Sequence, residues 1–226
     1  MMKRLLPLIL LFTFNQIQAQ DTGEDLWGNW LMYFGTNRVS DKLSIHTEAQ
    51  YRLYEFSDNF NQLLLRTGLN YHIADHAMAT AGYAFIPTRT FAGVNSSENR
   101  IWQQFILRNK LGPVAFEHRY RLEQRWVQQD GVTTYSDRAR YRLFFTIPLN
   151  KPKIEPETFF LAFYDEIFIN ITENPFSQNR LFGAVGYAVN KNLSFQVGYL
   201  RNRLGPNNFN RAQFAVFFNP DFRKDD

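Results

Sequence analysis

One stretch of alternating residues, from Val114 to Phe145, constrains the fold of this chain more than any other feature. In its first half, the positions of Phe116, Tyr120 and Leu122 are interleaved with Glu117, Arg119, Arg121, Glu123 and Arg125. After Gln129-Asp130-Gly131 the alternation resumes, with Tyr141, Leu143 and Phe145 set against Arg138, Arg140 and Arg142. A helix would scatter these charges around its circumference, whereas successive side chains of a strand point to opposite faces. The stretch therefore predicts a long antiparallel hairpin with one apolar and one charged face.

The strand registers on either side of this hairpin can be predicted if the lengths of two turns are assumed. If Gly112-Pro113 forms a turn with two central residues, Arg108 faces Glu117. If the next loop is centred on Gly131 and Val132, Glu123 faces Arg140. Both registers pair opposite charges, which neighbouring strands favour.

Similar patterns elsewhere predict about eleven strands in all, with a polar loop at 89–99. The predicted segments outside the hairpin are 27–39, 43–54, 62–73, 77–88, 100–111, 159–171, 180–189, 193–204 and 209–218. Bacterial single-chain barrels normally have an even number of strands, so we expect ten or twelve. The connections near 41, 75, 112 and 191 are short, and those near 58, 94, 131, 175 and 206 tend to be polar and longer, with 152 as an exception. This asymmetry is typical of outer-membrane barrels.

Strand length and interior volume favour a transmembrane barrel over a soluble β-fold. An eight-stranded barrel is only just filled by side chains, so about eleven strands with apolar faces inward would overfill it. A sandwich would relieve the crowding, but its strands usually have about five or six residues. Strands of about a dozen residues, at roughly 3.3 Å each, suit a tilted crossing of a hydrocarbon layer about 30 Å thick. The sequence therefore predicts an all-β, single antiparallel transmembrane up-and-down barrel of about 10–12 strands.

The N-terminus has the pattern of a secretory signal at 1–19. Lys3 and Arg4 precede a short apolar run, and Ala19 precedes a plausible cleavage point at Gln20. The expected organisation is a signal peptide at 1–19, a barrel at 20–218 and a polar tail at 219–226. The chain has no cysteine, so it has no disulfide, thiolate metal site or lipidated cysteine.

Several segments together resemble a known family. They are "EAQYRLYEF" from Glu48, "NRIWQQF" from Asn99, "HRYRLEQRW" from His118 and "RARYRLFF" from Arg138. In these segments the chain resembles a group of Gram-negative outer-membrane barrels known as domain of unknown function 2490 (DUF2490). The resemblance implies a barrel in the outer membrane and no established activity. The expected partners are outer-membrane lipid and the barrel-assembly machinery, whereas a net charge of only +4 argues against nucleic acid.

The charged face is the candidate functional feature, and we expect it to point into the lumen. Its members are Glu48, Arg52, Arg66, Arg108, Glu117, Arg119, Arg121, Glu123, Arg125, Arg138, Arg140, Arg142 and Glu166. In one interpretation this is a structural ladder in which Glu and Arg pair, because buried charges persist only when paired. In the other it is a cationic lumen that binds or conducts anions. The first is favoured, as an uncharacterised non-enzymatic barrel or narrow pore, with an anion-selective channel as the alternative.

A third hypothesis is an outer-membrane lipid-modifying enzyme. Ser44 and His46 are the nearest approach to a nucleophile and base, but residues two apart on a strand are separated by roughly 7 Å. No G-x-S-x-G elbow accompanies them, and none of His46, His72, His76 and His118 pairs at metal-ligand spacing. We therefore predict no enzymatic activity, no catalytic residues, no metal site and no cofactor. The solute and the oligomeric state do not follow from the sequence.

Overall fold

The computed structural model describes residues 22–24, 26–172 and 175–223 and forms one closed β-barrel. Among these residues, no helix is long and apolar enough to cross a membrane. The predicted signal peptide lies outside the described residues. The eleven strands are β1 (Trp27–Arg38), β2 (Leu43–Leu53), β3 (Phe60–Ala74), β4 (Ala77–Arg89), β5 (Asn95–Leu111), β6 (Val114–Gln129), β7 (Val132–Pro148), β8 (Thr158–Asn170), β9 (Phe176–Ala188), β10 (Leu193–Leu204) and β11 (Asn207–Phe218).

The odd strand number corrects the expectation of ten or twelve. Ten consecutive pairs are antiparallel, and the barrel closes through a parallel pairing of β1 with β11, in which Leu31 lies beside Phe214. With an odd number of hairpin-connected strands, the first and last strands run in the same direction, so closure has to be parallel. Up-and-down connectivity is confirmed, but the barrel is not entirely antiparallel.

The turn between β6 and β7 corrects one predicted register. Asp130 and Gly131 both have positive φ (50° and 79°), as a two-residue type I′ hairpin turn requires. Gln129 consequently pairs with Val132, and Glu123 faces Arg138 rather than Arg140. The same register places Arg121 opposite Arg140 and Arg119 opposite Arg142, which are like-charge pairs. The turn at Gly112-Pro113 does have two central residues, and Arg108 faces Glu117 as predicted.

The predicted difference between the two ends of the barrel is present only in part: the connections near 41, 75, 112 and 191 are short, at two to four residues, but the exception near 152 contains nine. The connections at the end that includes Gly112-Pro113 contain two to nine residues, and those at the opposite end contain two to six. Residues 130–131 and 205–206, which were expected to be longer loops, are two-residue turns. The predicted polar loop at 89–99 is also shorter, because β5 begins at Asn95. Loop length therefore gives no orientation.

Alternation separates an apolar outer face from a buried interior along the strands. Leu122 is 48% exposed, whereas the next residue, Glu123, is fully buried. Outward residues on other strands behave like Leu122: Leu69, Leu181 and Val197 are each more than half exposed.

The interior is charged on one side and apolar on the other. Charged side chains concentrate on β2, β3 and β5 to β7. The other side contains a cluster of buried apolar residues from β1 and β8 to β10: Trp30, Phe160, Ala162, Phe182, Ala184, Ala188 and Leu200. The expectation of an interior lined mainly by charge is therefore met on only part of the wall.

The first residues of the predicted polar tail extend the closing seam. Arg38 N donates to Pro220 O at 3.0 Å, and Phe222 N donates to Arg38 O at 2.9 Å. Arg223 then contacts both Asp221 and Asp41, each at 2.7 Å. Hydrogen bonds from Arg223 lower the pKa of the Asp221 carboxyl to about 2. The described part of the tail is thus joined to β1 and to the β1–β2 turn.

Candidate functional site

The interior charge network is the candidate site, and its predicted members are at the inward positions of their strands. Seven of them are buried: Glu48, Arg52, Arg66, Arg121, Glu123, Arg140 and Glu166. Arg119, Arg125, Arg138 and Arg142 are partly buried, each within hydrogen-bond distance of an interior carboxylate. Arg108 and Glu117 pair at the end of the barrel near Gly112, where the Arg108 side chain is 42% exposed.

Four interior charged residues were not predicted: Glu98, Arg100, Arg180 and Arg211. Arg100 continues the inward phase of Arg108 within the predicted strand 100–111, so period-two counting was sufficient to find it, whereas Glu98 lay in the predicted loop at 89–99. Arg125 donates to both oxygens of Glu98, at 2.8 and 2.9 Å. Arg180 and Arg211 stand alone among neutral residues of β9 and β11, where no run of charges marks the inward phase.

Glu123 is the centre of the network. Its Oε1 accepts from Arg140 at 2.6 Å and Arg100 at 3.2 Å, and its Oε2 accepts from Arg138 at 2.6 Å. Two further guanidinium nitrogens, Arg66 Nη2 and Arg121 Nη1, lie 3.9 Å from Oε1. We call Glu123 and these five arginines the Glu123 cluster. It joins β3, β5, β6 and β7 across the barrel interior.

Two other carboxylates extend the network toward the Gly112 end. Glu166 Oε1 accepts from Arg119 at 2.6 Å and from Arg140 Nη2 at 2.7 Å. Glu117 accepts from Arg142 at 2.7 Å and Arg108 at 3.1 Å. Because Arg140 bonds both Glu123 and Glu166, the two carboxylates share one cation. These carboxylates allow the like-charge pairs Arg119–Arg142 and Arg121–Arg140 to form.

Arginine outnumbers glutamate in the described interior. The carboxylates are Glu48, Glu98, Glu117, Glu123 and Glu166, against the arginines Arg52, Arg66, Arg100, Arg108, Arg119, Arg121, Arg125, Arg138, Arg140, Arg142, Arg180 and Arg211. Twelve arginines against five glutamates leave seven positive charges in excess.

Amides and aromatic rings solvate the arginines that have no close carboxylate. Arg52 donates to Gln50 and Gln62, and its guanidinium lies 3.9 Å from the Trp30 ring centroid. Arg180 donates to Asn202 and contacts the rings of Trp30 and Phe168. The Phe168 ring also lies under Arg138 and Arg140, at 5.1 and 4.2 Å. Since a ring face attracts cations, these contacts offset part of the excess charge.

The comparison with known families finds one match. A family model described as "Protein of unknown function (DUF2490)" matches residues 27–213. The chain belongs to this family. No curated protein and no solved structure matches the DUF2490 chain. The match extends from the first residue of β1 into β11, so the whole interior network lies within the DUF2490 region.

The DUF2490 barrel pairs Ser44 with a different histidine from the one considered in the sequence. Ser44 Oγ lies 2.8 Å from His72 Nε2, whereas His46 Nε2 lies 3.0 Å from Glu48. Asn70 also donates to Ser44 Oγ at 3.0 Å, and Ser44 is fully buried. His118 points outward and bonds Tyr141. Among the described residues, no group of three His, Asp or Glu side chains is arranged to hold a metal ion.

An open pocket of about 510 Å³ lies at the Gly112 end of the DUF2490 barrel. Its polar lining includes Asp75, His76, Arg108, Lys110 and Glu117. Beyond the pocket, Arg121, Glu123 and Glu166 are each at most 3% exposed, so side chains fill the middle of the barrel.

Proposed function

We propose that this chain is an integral outer-membrane barrel of a Gram-negative bacterium, non-enzymatic, with an interior network that stiffens the wall and closes the lumen. The main support for the proposal is that the apolar side chain of Leu122 is exposed while the charged side chain of Glu123 is buried, a pattern that is repeated around the barrel. Soluble proteins do not expose a continuous belt of large apolar side chains, but a membrane barrel presents such a belt to lipid.

Aromatic residues on the outer face support a membrane location. Tyr71 and Phe195 are near the turns at one end, and Trp126 and Tyr135 contact each other beside the turn at the opposite end. Tyrosine and tryptophan favour the two membrane interfaces, since one part of each ring system is apolar and another is polar.

The interior supports a structural role over free conduction. A wide pore needs continuous water, whereas four of the five arginines of the Glu123 cluster are bonded to carboxylates and the fifth, Arg121, is bonded to Gln104. Removing one partner from such a network leaves an unpaired buried charge, so the ion pairs hold the strands in one arrangement.

Heat-modifiable migration tests the barrel in lipid. Folded protein in detergent or vesicles should migrate differently on a denaturing gel before and after boiling, and the native protein should fractionate with outer membranes. A folded monomer in buffer without detergent would contradict the proposal.

The excess of seven positive interior charges favours a second candidate, an anion-selective channel. Rings of arginine favour anionic solutes. Single-channel recording in planar bilayers separates the two candidates. Current above background with anion selectivity would support the channel, and its absence from a correctly folded sample would support the closed barrel.

A lipid-modifying activity is the third candidate, and the Ser44–His72 contact is its only support. Ser44 is fully buried and already bonded to Asn70, so its oxygen is shielded from an outer-leaflet substrate. Phospholipid or acyl-ester turnover that disappears in a folded Ser44→Ala barrel would contradict the non-enzymatic role.

A further inference from the structure

Seven buried side-chain hydrogen-bond donors have no partner among the described residues, and three of the seven belong to side chains that meet at the Trp102 ring. The three are Arg66 Nε, Trp102 Nε1 and Arg121 Nη1. Their residues are 7%, 0% and 3% exposed, respectively. An unpaired buried donor costs about 1–3 kcal/mol, and more when it carries charge. Three such donors in one region therefore indicate an acceptor that the protein itself does not supply.

The three residues are neighbours. The guanidinium carbons of Arg66 and Arg121 lie 5.3 and 4.9 Å from the Trp102 ring centroid. Arg66 Nη2 and Arg121 Nη1 are each 3.9 Å from the same oxygen, Oε1 of Glu123. A distance of 3.9 Å is too long for a direct hydrogen bond, so Arg121 Nη1 has no acceptor in Glu123.

The remaining contacts fix this arrangement. Arg121 Nε and Nη2 both donate to Gln104 Oε1, at 3.1 and 2.7 Å, and Arg66 Nη1 donates to Glu48 at 2.9 Å. Trp102 packs closely over Gly82, where an added Cβ would come within 2.7 Å of Cζ2 of the indole. The donors are consequently held in place before any ligand arrives.

The chemistry of the site selects a small anion. All three donors are N–H groups, two of them belong to cations, and Gln104 leaves Arg121 without a full counter-charge. Water would accept the hydrogen bonds but would leave the charge excess unchanged. A halide accepts several N–H donors from different directions and also neutralises one positive charge.

We propose that Arg66, Trp102 and Arg121 form a buried binding site for a halide-sized inorganic anion, chloride being the abundant candidate. The site goes beyond the proposed function. A bound anion could complete the network whether or not the barrel conducts ions, and whichever way the barrel is oriented in the membrane. In the cell, the anion would act as a structural component of the barrel.

Anomalous diffraction from crystals grown with bromide in place of chloride tests the site directly. The expected result is a bromide peak within about 3.5 Å of Arg121 Nη1, slightly beyond an N–H···O distance. Crystals that contain only water at this position, with or without bromide, would overturn the proposal.

A pair of matched variants tests the site in solution. The midpoint of heat-modifiable unfolding of detergent-folded protein is measured in chloride, bromide and gluconate at equal ionic strength. We expect chloride and bromide to raise the midpoint of the native protein. Trp102→Phe keeps an aromatic ring but removes the N–H, so it should weaken chloride binding about tenfold, corresponding to one hydrogen bond of about 1.4 kcal/mol.

Trp126→Phe is the control, because Trp126 lies on the outer face beside Tyr135. It should retain the full halide dependence. Equal halide dependence in Trp102→Phe and the native protein, or no halide dependence in the native protein, would overturn the proposal. If Trp102→Phe fails to fold, the native titration and the bromide density still decide the question. Failure of this site would leave the closed-barrel function intact.

Discussion

Glu123 and Arg138 face each other across the β6–β7 ladder, and Arg138 Nη2 donates to Glu123 Oε2 at 2.6 Å. Arg138 is one of three arginines that donate directly to this fully buried carboxylate. Removal of the Glu123 charge would leave five guanidinium groups around a neutral side chain.

Glu123→Gln should therefore destabilise the barrel strongly. Loss of one partner from a buried ion network costs about 3–5 kcal/mol. Urea unfolding in detergent or vesicles, followed by the heat-modifiable band, measures the loss. Glu155→Gln is the control, because the Glu155 side chain contacts the loop residues Lys151 and Lys153 at 3.7 Å and lies outside the interior. A Glu123→Gln barrel as stable as the control would contradict the role given to the Glu123 cluster.

Phe168→Leu should lower the free energy of unfolding by more than the loss of buried apolar surface alone predicts. Leucine keeps much of the volume but removes the ring that contacts Arg138, Arg140 and Arg180. We expect an additional loss of about 2 kcal/mol, the scale of a desolvated cation–π contact. Phe159→Leu on the outer face, where the side chain is 51% exposed, is the control for the same measurement. Equal losses would show that the ring contributes only packing.

The parallel seam predicts a specific disulfide. Leu31 lies directly beside Phe214, so Leu31→Cys with Phe214→Cys should cross-link on oxidation. The natural chain has no cysteine to compete. Leu31→Cys with Val216→Cys is the shifted control, because Val216 pairs with Tyr33 and the distance from Leu31 is then too long for an unstrained bond. Efficient cross-linking of the shifted pair, or of neither pair, would refute the register of closure.

The tail contacts predict an unusually acidic Asp221. Its pKa is lowered to about 2 by the hydrogen bonds from Arg223. Because the pKa of the Asp221 carboxyl is lower in the folded state, the contact stabilises the folded state at pH values above the usual pKa of Asp. This stabilisation is lost as the pH falls through the folded-state pKa. Carboxyl NMR should show a midpoint near 2 in the native protein and a higher one in Arg223→Gln. A native midpoint close to 3.8, the ordinary value, would exclude the contact.

Sequence patterns predicted the fold where the two faces of a strand differ in polarity. On β6 and β7 the inward phase is charged and the outward phase apolar, so both strands and their inward residues followed from alternation. On β1, Trp30 is buried while Leu31 is exposed. Both faces are apolar there, which removes the contrast, and neither the placement of Trp30 inside nor the parallel closure was foreseen.

The register of β7 and the clustering of interior charges could not be predicted from the sequence, for a different reason. The type I′ turn at Asp130-Gly131 shifts the β7 partners by two residues relative to the assumed loop, which moved Glu123 from Arg140 to Arg138. The meeting of Arg66 with Glu123 is a contact across the interior, because β3 and β6 are not neighbours in the sheet. Pairwise strand patterns contain no information about contacts across the interior.

Fluorescence quenching from the lipid phase tests the central claim, that apolar residues face hydrocarbon and charged residues face inward. Leu122→Cys, labelled with a fluorophore and reconstituted into vesicles of brominated-acyl-chain phospholipid, should be strongly quenched and inaccessible to aqueous iodide. A label at Gln128→Cys, beside the Asp130-Gly131 turn, should show the opposite behaviour. A Leu122 label that iodide quenches and brominated lipid does not, in a folded protein, would contradict the account.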